Sequence, residues 1–158
     1  MDAAHRAWVA TTGRRLLPAL LDAVVESWDD LLAEAASWTP DERRAAREAT
    51  AVALDGMMDV FERGDLDETS WTRVREAVLR GRDREVAAEL LRSARLIAVD
   101  KLAEHLDKTG GLTLDARWEL QREAAVFCDA LLGVRSEPDP AAFDELLVDL
   151  ERSGPDYA

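Results

Sequence analysis

Apolar residues recur every three or four positions along almost the whole chain, and no convincing stretch alternates with a period of two. This spacing places apolar side chains on one face of successive α-helices, whereas half-buried strands require alternation. The pattern therefore predicts an all-α protein without a sheet. Its length of 158 residues fits one compact domain, a bundle of five to seven helices.

The first third of the chain contains one weak and one strong helix start. A short segment around residues 3–10 is predicted to lead into a longer helix over residues 15–36, with Pro18 in its first turn, where the missing N–H costs little. The strong start is Thr39-Pro40-Asp41-Glu42, which combines a capping threonine, a proline and a capping-box glutamate. We expect this second helix to end at Gly64. A short helix, capped by Asp67 or Ser70, then leads to Gly81.

Residues 81–105, with the sequence GRDREVAAELLRSARLIAVDKLAEH, are the most informative stretch. They predict one long helix that is apolar over much of its circumference and must be enclosed by other helices. It should end near Lys108, before two glycines. The following helix, from Thr113 to Gly133, should pair with it antiparallel and bury one face, formed by Trp118, Gln121, Ala125, Cys128 and Leu132.

The chain divides into a helical bundle, residues 1–135, and a C-terminal amphipathic helix and tail, residues 136–158. Asp139-Pro140 starts that helix. Its apolar stripe either packs on the bundle or continues into a partner or a following effector domain, and it consists of Phe143, Leu146, Leu147 and Leu150.

Charge and cysteine content narrow the function classes. Thirty-three acidic against twenty basic residues give a formal charge of -13, and such a chain repels DNA and anionic lipids. Direct nucleic-acid or membrane binding by this segment is not expected. Cys128 is the only cysteine, so no intramolecular disulfide can form, and a cytoplasmic location is predicted.

The residues that commonly carry chemistry do not form a catalytic pattern. His5 and His105, the only histidines, lie a hundred positions apart without nearby ligand spacing, so no metal site is predicted. Cys128 falls on a predicted core face, where cysteine behaves as a small apolar residue. No phosphate-binding loop follows a strand. The sequence predicts a non-enzymatic protein without a cofactor.

Arg95 is the unexpected residue, because it lies among leucines on the central helix. In one interpretation its stem packs at the edge of the core while the guanidinium reaches water or an acid on a neighbouring helix. In the other, Arg95, His105 and Gln121 line a small polar pocket for an anionic or carbonyl-bearing signal.

Two further interpretations concern aromatic and histidine residues. His105 faces inward near the end of the central helix, where a haem-type proximal ligand is an alternative to an ordinary packed histidine. Of five tryptophans, most should be core residues, and Trp8 and Trp38, near element ends, are interface candidates.

A recognisable pattern lies between residues 80 and 132. It consists of the turn Gly81-Arg82-Asp83, the helix opening through Leu90-Leu91, the triplet Ser93-Ala94-Arg95 and the run 99–102. This third of the chain is similar to the helical N-terminal input domains of RsbR-D-like proteins and PucR/CdaR-type bacterial regulators. The resemblance implies signal sensing or protein contact, a dimer, no catalysis, and an accompanying helix-turn-helix or STAS effector domain. It assigns no ligand residue.

The sequence and the resemblance together predict a non-enzymatic signal-input or protein-interaction domain of a bacterial transcriptional or stress regulator. It would act as a homodimer or with a regulatory protein partner. One alternative is a small-molecule-sensing domain with an internal pocket, like the ligand domain of TetR-type repressors or a globin. A second alternative is a helical accessory or scaffold protein.

Overall fold

The computed structural model describes residues 1–133, and this part of the chain is helical without a strand. It contains six α-helical segments: α1 (Ala3–Leu31), α2 (Pro40–Arg63), α3 (Glu68–Leu79), α4 (Arg84–Ala94), α5 (Asp100–Gly110) and α6 (Leu114–Leu131). A short 3₁₀ turn, Ala35–Ser37, precedes α2, and a π-helical turn, Arg95–Val99, joins α4 to α5. The predicted all-α bundle is confirmed. Residues 134–158, including the predicted C-terminal helix, lie outside the described part.

Helix starts follow local capping. The Thr39 hydroxyl accepts a hydrogen bond from the Glu42 N–H at 3.1 Å, and the Glu42 carboxylate accepts one from the Thr39 N–H, so the predicted capping box is present. Asp67 caps α3 through the Ser70 N–H, and Thr113 caps α6 through the Ala116 N–H. Gly64, with a φ of 83°, ends α2 in the left-handed conformation that glycine favours.

The first helix differs from the prediction. Instead of a short segment followed by a helix from Arg15, α1 is continuous, and Pro18 lies in its interior rather than in its first turn. Gly13 is not a break either, because it is buried against α2, where a Cβ atom would lie 2.2 Å from the Met58 Sδ atom. Close helix packing, rather than backbone freedom, explains this glycine.

The central helix also departs from the prediction. It begins at Arg84, capped by Asp83, not at Gly81, and its hydrogen bonding is interrupted by the π-helical turn that starts at Arg95. A π turn contains more residues than an α-turn, so it changes which side chains downstream share a face. His105 follows this turn, so the spacing of an uninterrupted α-helix does not give its direction; in the structure its side chain is half-buried.

Two pairs of neighbouring helices pack antiparallel around the core, α1 with α2 and the central helix with α6. Arg6 contacts the end of α2 at Phe61, while Asp29, near the end of α1, pairs with Arg43 near the start of α2. The central helix and α6 are antiparallel as predicted, since Cys128 approaches Leu91 and Arg117 pairs with Asp100. The largest fully buried side chains between these helices include Trp28, Phe61, Phe127, Leu54, Met57 and Met58.

Candidate functional site

The Arg95 guanidinium lies at the π-helical turn, and its side chain is half-buried. The Arg95 N–H donates to both the Arg92 and the Leu91 carbonyl oxygens, as expected where the hydrogen-bond register changes. Among residues 1–133, no carboxylate oxygen lies within 4 Å of the guanidinium. The acid that one interpretation placed on a neighbouring helix is therefore not among the described residues.

His105 and Gln121, the other predicted pocket residues, are half-buried on α5 and α6. The Nε2 atom of His105 is buried, and so is that of His5, and neither has a hydrogen-bond partner among the described residues. The cavities described below have linings that include neither histidine, nor Arg95, nor Gln121. The structure places the three candidates on adjoining elements without showing a shared cavity.

Cys128 lies beside the π turn, 5% exposed, with its Sγ atom 3.9 Å from the Leu91 carbonyl oxygen. Burial raises the pKa of the Cys128 thiol to about 12, and the positive charge of Arg95 offsets this only in part. The thiol is consequently protonated at neutral pH, and in this neutral form it packs as a small apolar side chain.

Trp8 and Trp38, the predicted interface tryptophans, are half-buried by contacts within the chain. Trp8 covers Gly110, where a Cβ atom would lie 2.3 Å from the Trp8 Cζ2 atom. Trp38 packs edge-to-face against Trp28 with ring centroids 5.5 Å apart. Trp38 also lines a cleft of about 390 Å³, together with Glu34, Glu42, Ala45, Ala46, Arg80, Gly81, Arg82, Asp83 and Val86.

One edge of α6 is held to α1 and α2 by charge. The Arg6 guanidinium lies 2.5 Å from the Glu123 carboxylate and donates to the Phe61 carbonyl oxygen at 2.9 Å. The hydrogen bond to Glu123 raises the pKa of Arg6 above its usual value. The N-terminal ammonium of Met1 lies 2.8 Å from the Glu119 carboxylate, and this hydrogen bond lowers the pKa of Glu119.

The solvent-exposed side of α6 carries three large apolar side chains among charged residues such as Asp115 and Arg122. Leu114 is 72% exposed, Trp118 71% and Val126 44%, and we call these three residues the α6 outer face. The sequence interpretation, which placed Trp118 on the buried face, is wrong. The residues that α6 buries are Ala116, Leu120, Ala124, Phe127, Cys128 and Leu131. Seen along the axis, they centre about 100° from the predicted face, a rotation of one residue.

Two recesses flank Arg122 on this surface. The first, of about 330 Å³, is lined by Asp115, Trp118, Glu119 and Arg122. The second, of about 240 Å³, we call the α3–α6 groove; its lining consists of Val60, Gly64, Asp65, Trp71, Arg122, Glu123, Val126, Phe127 and Ala130. Both were missed from the sequence. The first was missed because Trp118 had been assigned to the buried face of α6, and the groove because it depends on the relative placement of three helices.

The floor of the α3–α6 groove is aromatic. Trp71 and Phe127 lie with ring centroids 5.4 Å apart at an interplanar angle of 35°. The Trp71 Nε1–H donates to the Asp65 carboxylate at 3.2 Å, which fixes the orientation of the indole. Such a floor suits an apolar side chain rather than a charged group.

Residues 1–133 contain no group of three or more histidine, cysteine, aspartate or glutamate side chains placed to hold a metal ion. In the same range, each helix is too short or too polar to cross a bilayer. The predicted interface stripe Phe143, Leu146, Leu147 and Leu150 lies outside the described residues.

Searches of protein-family models, curated proteins and solved structures find no match to this chain.

Proposed function

We propose that this chain is a non-enzymatic input or interaction domain of a cytoplasmic bacterial regulator. It recognises a protein partner, in the first instance a second copy of itself, through Leu114 and Trp118. The observation that carries the proposal is the exposure of these two large apolar side chains, more than two-thirds each, on a helix whose other faces are packed or charged.

The chemistry of this surface supports protein contact. Trp118 lies four positions after Leu114, so the two side chains are on the same side of α6, about one turn apart. Arg122 adjoins Trp118 in the 330 Å³ recess, and no carboxylate among residues 1–133 pairs with it within 4 Å. Tryptophan and arginine are the residues most enriched where interface binding energy concentrates. An exposed apolar patch rimmed by charge is typical of protein interaction sites.

Light scattering across the micromolar concentration range tests the proposal. We expect the unaltered protein to dimerise and Trp118→Ala to raise the dimer dissociation constant at least tenfold, which corresponds to about 1.4 kcal/mol. Leu31→Ala is the matched control, since Leu31 is also an exposed leucine, 47%, but lies on α1. A chain that remains monomeric throughout, or equal effects of the two substitutions, would count against recognition of a second copy at Trp118.

A sensing function has a specific observation in its favour, the π-helical turn at Arg95. Such turns are frequent at functional sites, and this one carries a half-buried arginine without an acidic partner among the described residues. In this alternative, Arg95, His105 and Gln121 bind an anionic small molecule. The test is a thermal-shift screen of small carboxylates and phosphates, in which a true ligand raises the melting temperature of the unaltered protein but not of Arg95→Met. Absence of a Soret band after addition of haemin would exclude haem at His105.

A further inference from the structure

Asp115 and Arg122 carry opposite charges on the exposed side of α6, and Trp118 lies between them. Arg122 follows Asp115 by seven positions, which is close to two helical turns, so the two side chains point in directions about 20° apart. Side chains pair along a helix at spacings of three or four positions, so these two do not pair within one α6. Within residues 1–133, neither side chain forms a salt bridge.

The carboxylates nearest to Arg122 in the sequence already have other partners. Glu119 accepts a hydrogen bond from the Met1 ammonium at 2.8 Å, and the Glu123 carboxylate lies 2.5 Å from the Arg6 guanidinium. Both acids are turned toward α1, whereas Arg122 is exposed. The guanidinium of Arg122 is therefore free to bind a carboxylate of a second molecule.

A second copy of the chain supplies that carboxylate when the two α6 helices run antiparallel. In a two-fold dimer every contact occurs twice, so one register that joins Asp115 to the partner's Arg122 also joins Arg122 to the partner's Asp115. A parallel pair of helices would instead set Asp115 against the partner's Asp115 and Arg122 against the partner's Arg122. Like charges in contact disfavour that arrangement, so charge selects the antiparallel one.

The same register places the tryptophans at the centre of the contact. The midpoint between positions 115 and 122 lies between positions 118 and 119, so Trp118 is within about 1 Å of the two-fold axis along the helix. The two indoles then pack against each other, with an ion pair on either side along the helix. Trp118 is 71% exposed in the single chain, and a central aromatic residue with a charged rim is typical of strong interfaces.

Asp129 offers a second antiparallel register, because it is also exposed and follows Arg122 by seven positions. Pairing Arg122 with the partner's Asp129 moves the two-fold axis to between positions 125 and 126. Trp118 then lies opposite position 133 of the partner, beyond the end of α6 at Leu131, and stays largely in water. Burial of the indole therefore favours the register through Asp115.

We propose that two copies of the chain associate through antiparallel α6 helices, with Trp118 against the partner's Trp118 and Asp115 bound to the partner's Arg122 on both sides. This inference rests on the proposed function, since it specifies the geometry of the same contact. Its consequence is selectivity, because a chain with either charge reversed meets a like charge in an unaltered partner.

Charge reversal and mixing test the register. Asp115→Arg and Arg122→Asp should each raise the dimer dissociation constant at least about tenfold, because each change puts two pairs of like charges into the dimer. When the two variants are mixed, a chain with two basic residues meets a chain with two acidic ones. The mixed dimer should therefore dissociate with a constant at least about tenfold below that of either variant alone. Light scattering of each variant and of the mixture, at equal total concentration, measures the three constants.

The recovery on mixing separates the register from simpler effects. Overall charge repulsion would place the mixed dimer between the two variants rather than above both in affinity. Asp115→Arg also puts a cation into the first turn of α6, which lowers folding stability, but lost stability does not recover on mixing. Asp129→Arg is the matched control, since it makes the same charge change at another exposed position of α6 and should not weaken the dimer.

The outcomes distinguish this inference from the proposed function. If the unaltered protein dimerises and the mixture shows no recovery, the register is overturned while recognition through Trp118 stands. Weakening by Asp129→Arg rather than by Asp115→Arg would assign the other register and also overturn the proposal. An unaltered chain that stays monomeric at every concentration would remove self-recognition itself, and with it this geometry, leaving a different protein as the occupant of the surface.

Discussion

Gly13 on α1 lies directly against Met58 on α2, so that a Cβ atom at position 13 would stand 2.2 Å from the Met58 Sδ atom. Met58 is fully buried, so its thioether can move aside only against the core side chains around it. The contact also brings Gly13 close to Leu102 on α5. The glycine therefore sets how closely the first two helices approach one another.

Gly13→Ala should lower the free energy of unfolding by about 1–3 kcal/mol, the cost of overpacking a core, despite the better helix propensity of alanine. Urea denaturation monitored by circular dichroism measures the change. In a Met58→Ala background the same substitution should cost less, because the obstructing sulfur has gone. Equal costs in the two backgrounds would show that Met58 is not the cause.

The buried thiol of Cys128 predicts a pH dependence at alkaline pH. The thiol ionises at about 8.5 in the unfolded chain, whereas burial raises its pKa to about 12 in the folded protein. Below the pKa of the unfolded chain, the protonated thiol makes its full contribution to the free energy of unfolding. Between the two pKa values the folded state retains a proton that the unfolded state releases, so the free energy of unfolding falls as pH rises, by up to about 1.4 kcal/mol per pH unit.

Cys128→Ala isolates this contribution. We expect the variant to lose less stability than the unaltered protein when urea denaturation is repeated from about pH 8 to about pH 10, because other titrating groups are common to both chains. In parallel, a thiol reagent should label the native protein far more slowly than the urea-unfolded chain. Parallel pH profiles for the two proteins would contradict a raised thiol pKa.

Arg6, on α1, binds both the end of α2 and α6, so its removal should weaken the packing of both helices. Arg6→Met should lower the free energy of unfolding by about 1–3 kcal/mol, because the substitution leaves Glu123 and the Phe61 carbonyl oxygen without their donor. Arg14→Met is the comparison, since Arg14 also pairs with two carboxylates but is about a third exposed. Its cost should be nearer 0–1 kcal/mol, roughly that of a surface pair. Chemical denaturation that ranks Arg14 above Arg6 would contradict this assignment.

Arg95→Met should leave the stability unchanged or increase it. The substitution keeps the packing stem, and among the described residues it strands no carboxylate that the guanidinium had paired. Arg92→Met, on the exposed side of α4, is the control for general loss of positive charge. A decrease of more than about 1.4 kcal/mol relative to that control would reveal an ionic partner for Arg95.

Helix starts were the most predictable feature of the chain. Thr39 was expected to cap α2, either Asp67 or Ser70 to cap α3, and the last helix of the bundle to begin at Thr113. In the structure Thr39, Asp67 and Thr113 each accept a hydrogen bond from an N–H three residues later. Capping is decided within one turn, so sequence neighbours suffice to predict it.

The candidate site was harder to predict from the sequence. Trp118 was assigned to the core on residue type and periodicity alone, yet it is 71% exposed.

The sequence by itself determined that this chain forms amphipathic helices, where most of them begin, and that its central helix must be enclosed. Those properties depend on spacing and capping within a few residues. Only the tertiary structure decided that Gly13 lies inside a continuous helix, that the π turn falls at Arg95, and that α6 turns Trp118 outward. Each depends on which side chains of distant helices meet, because packing energy selects the rotation and continuity of a helix among several that its periodicity permits.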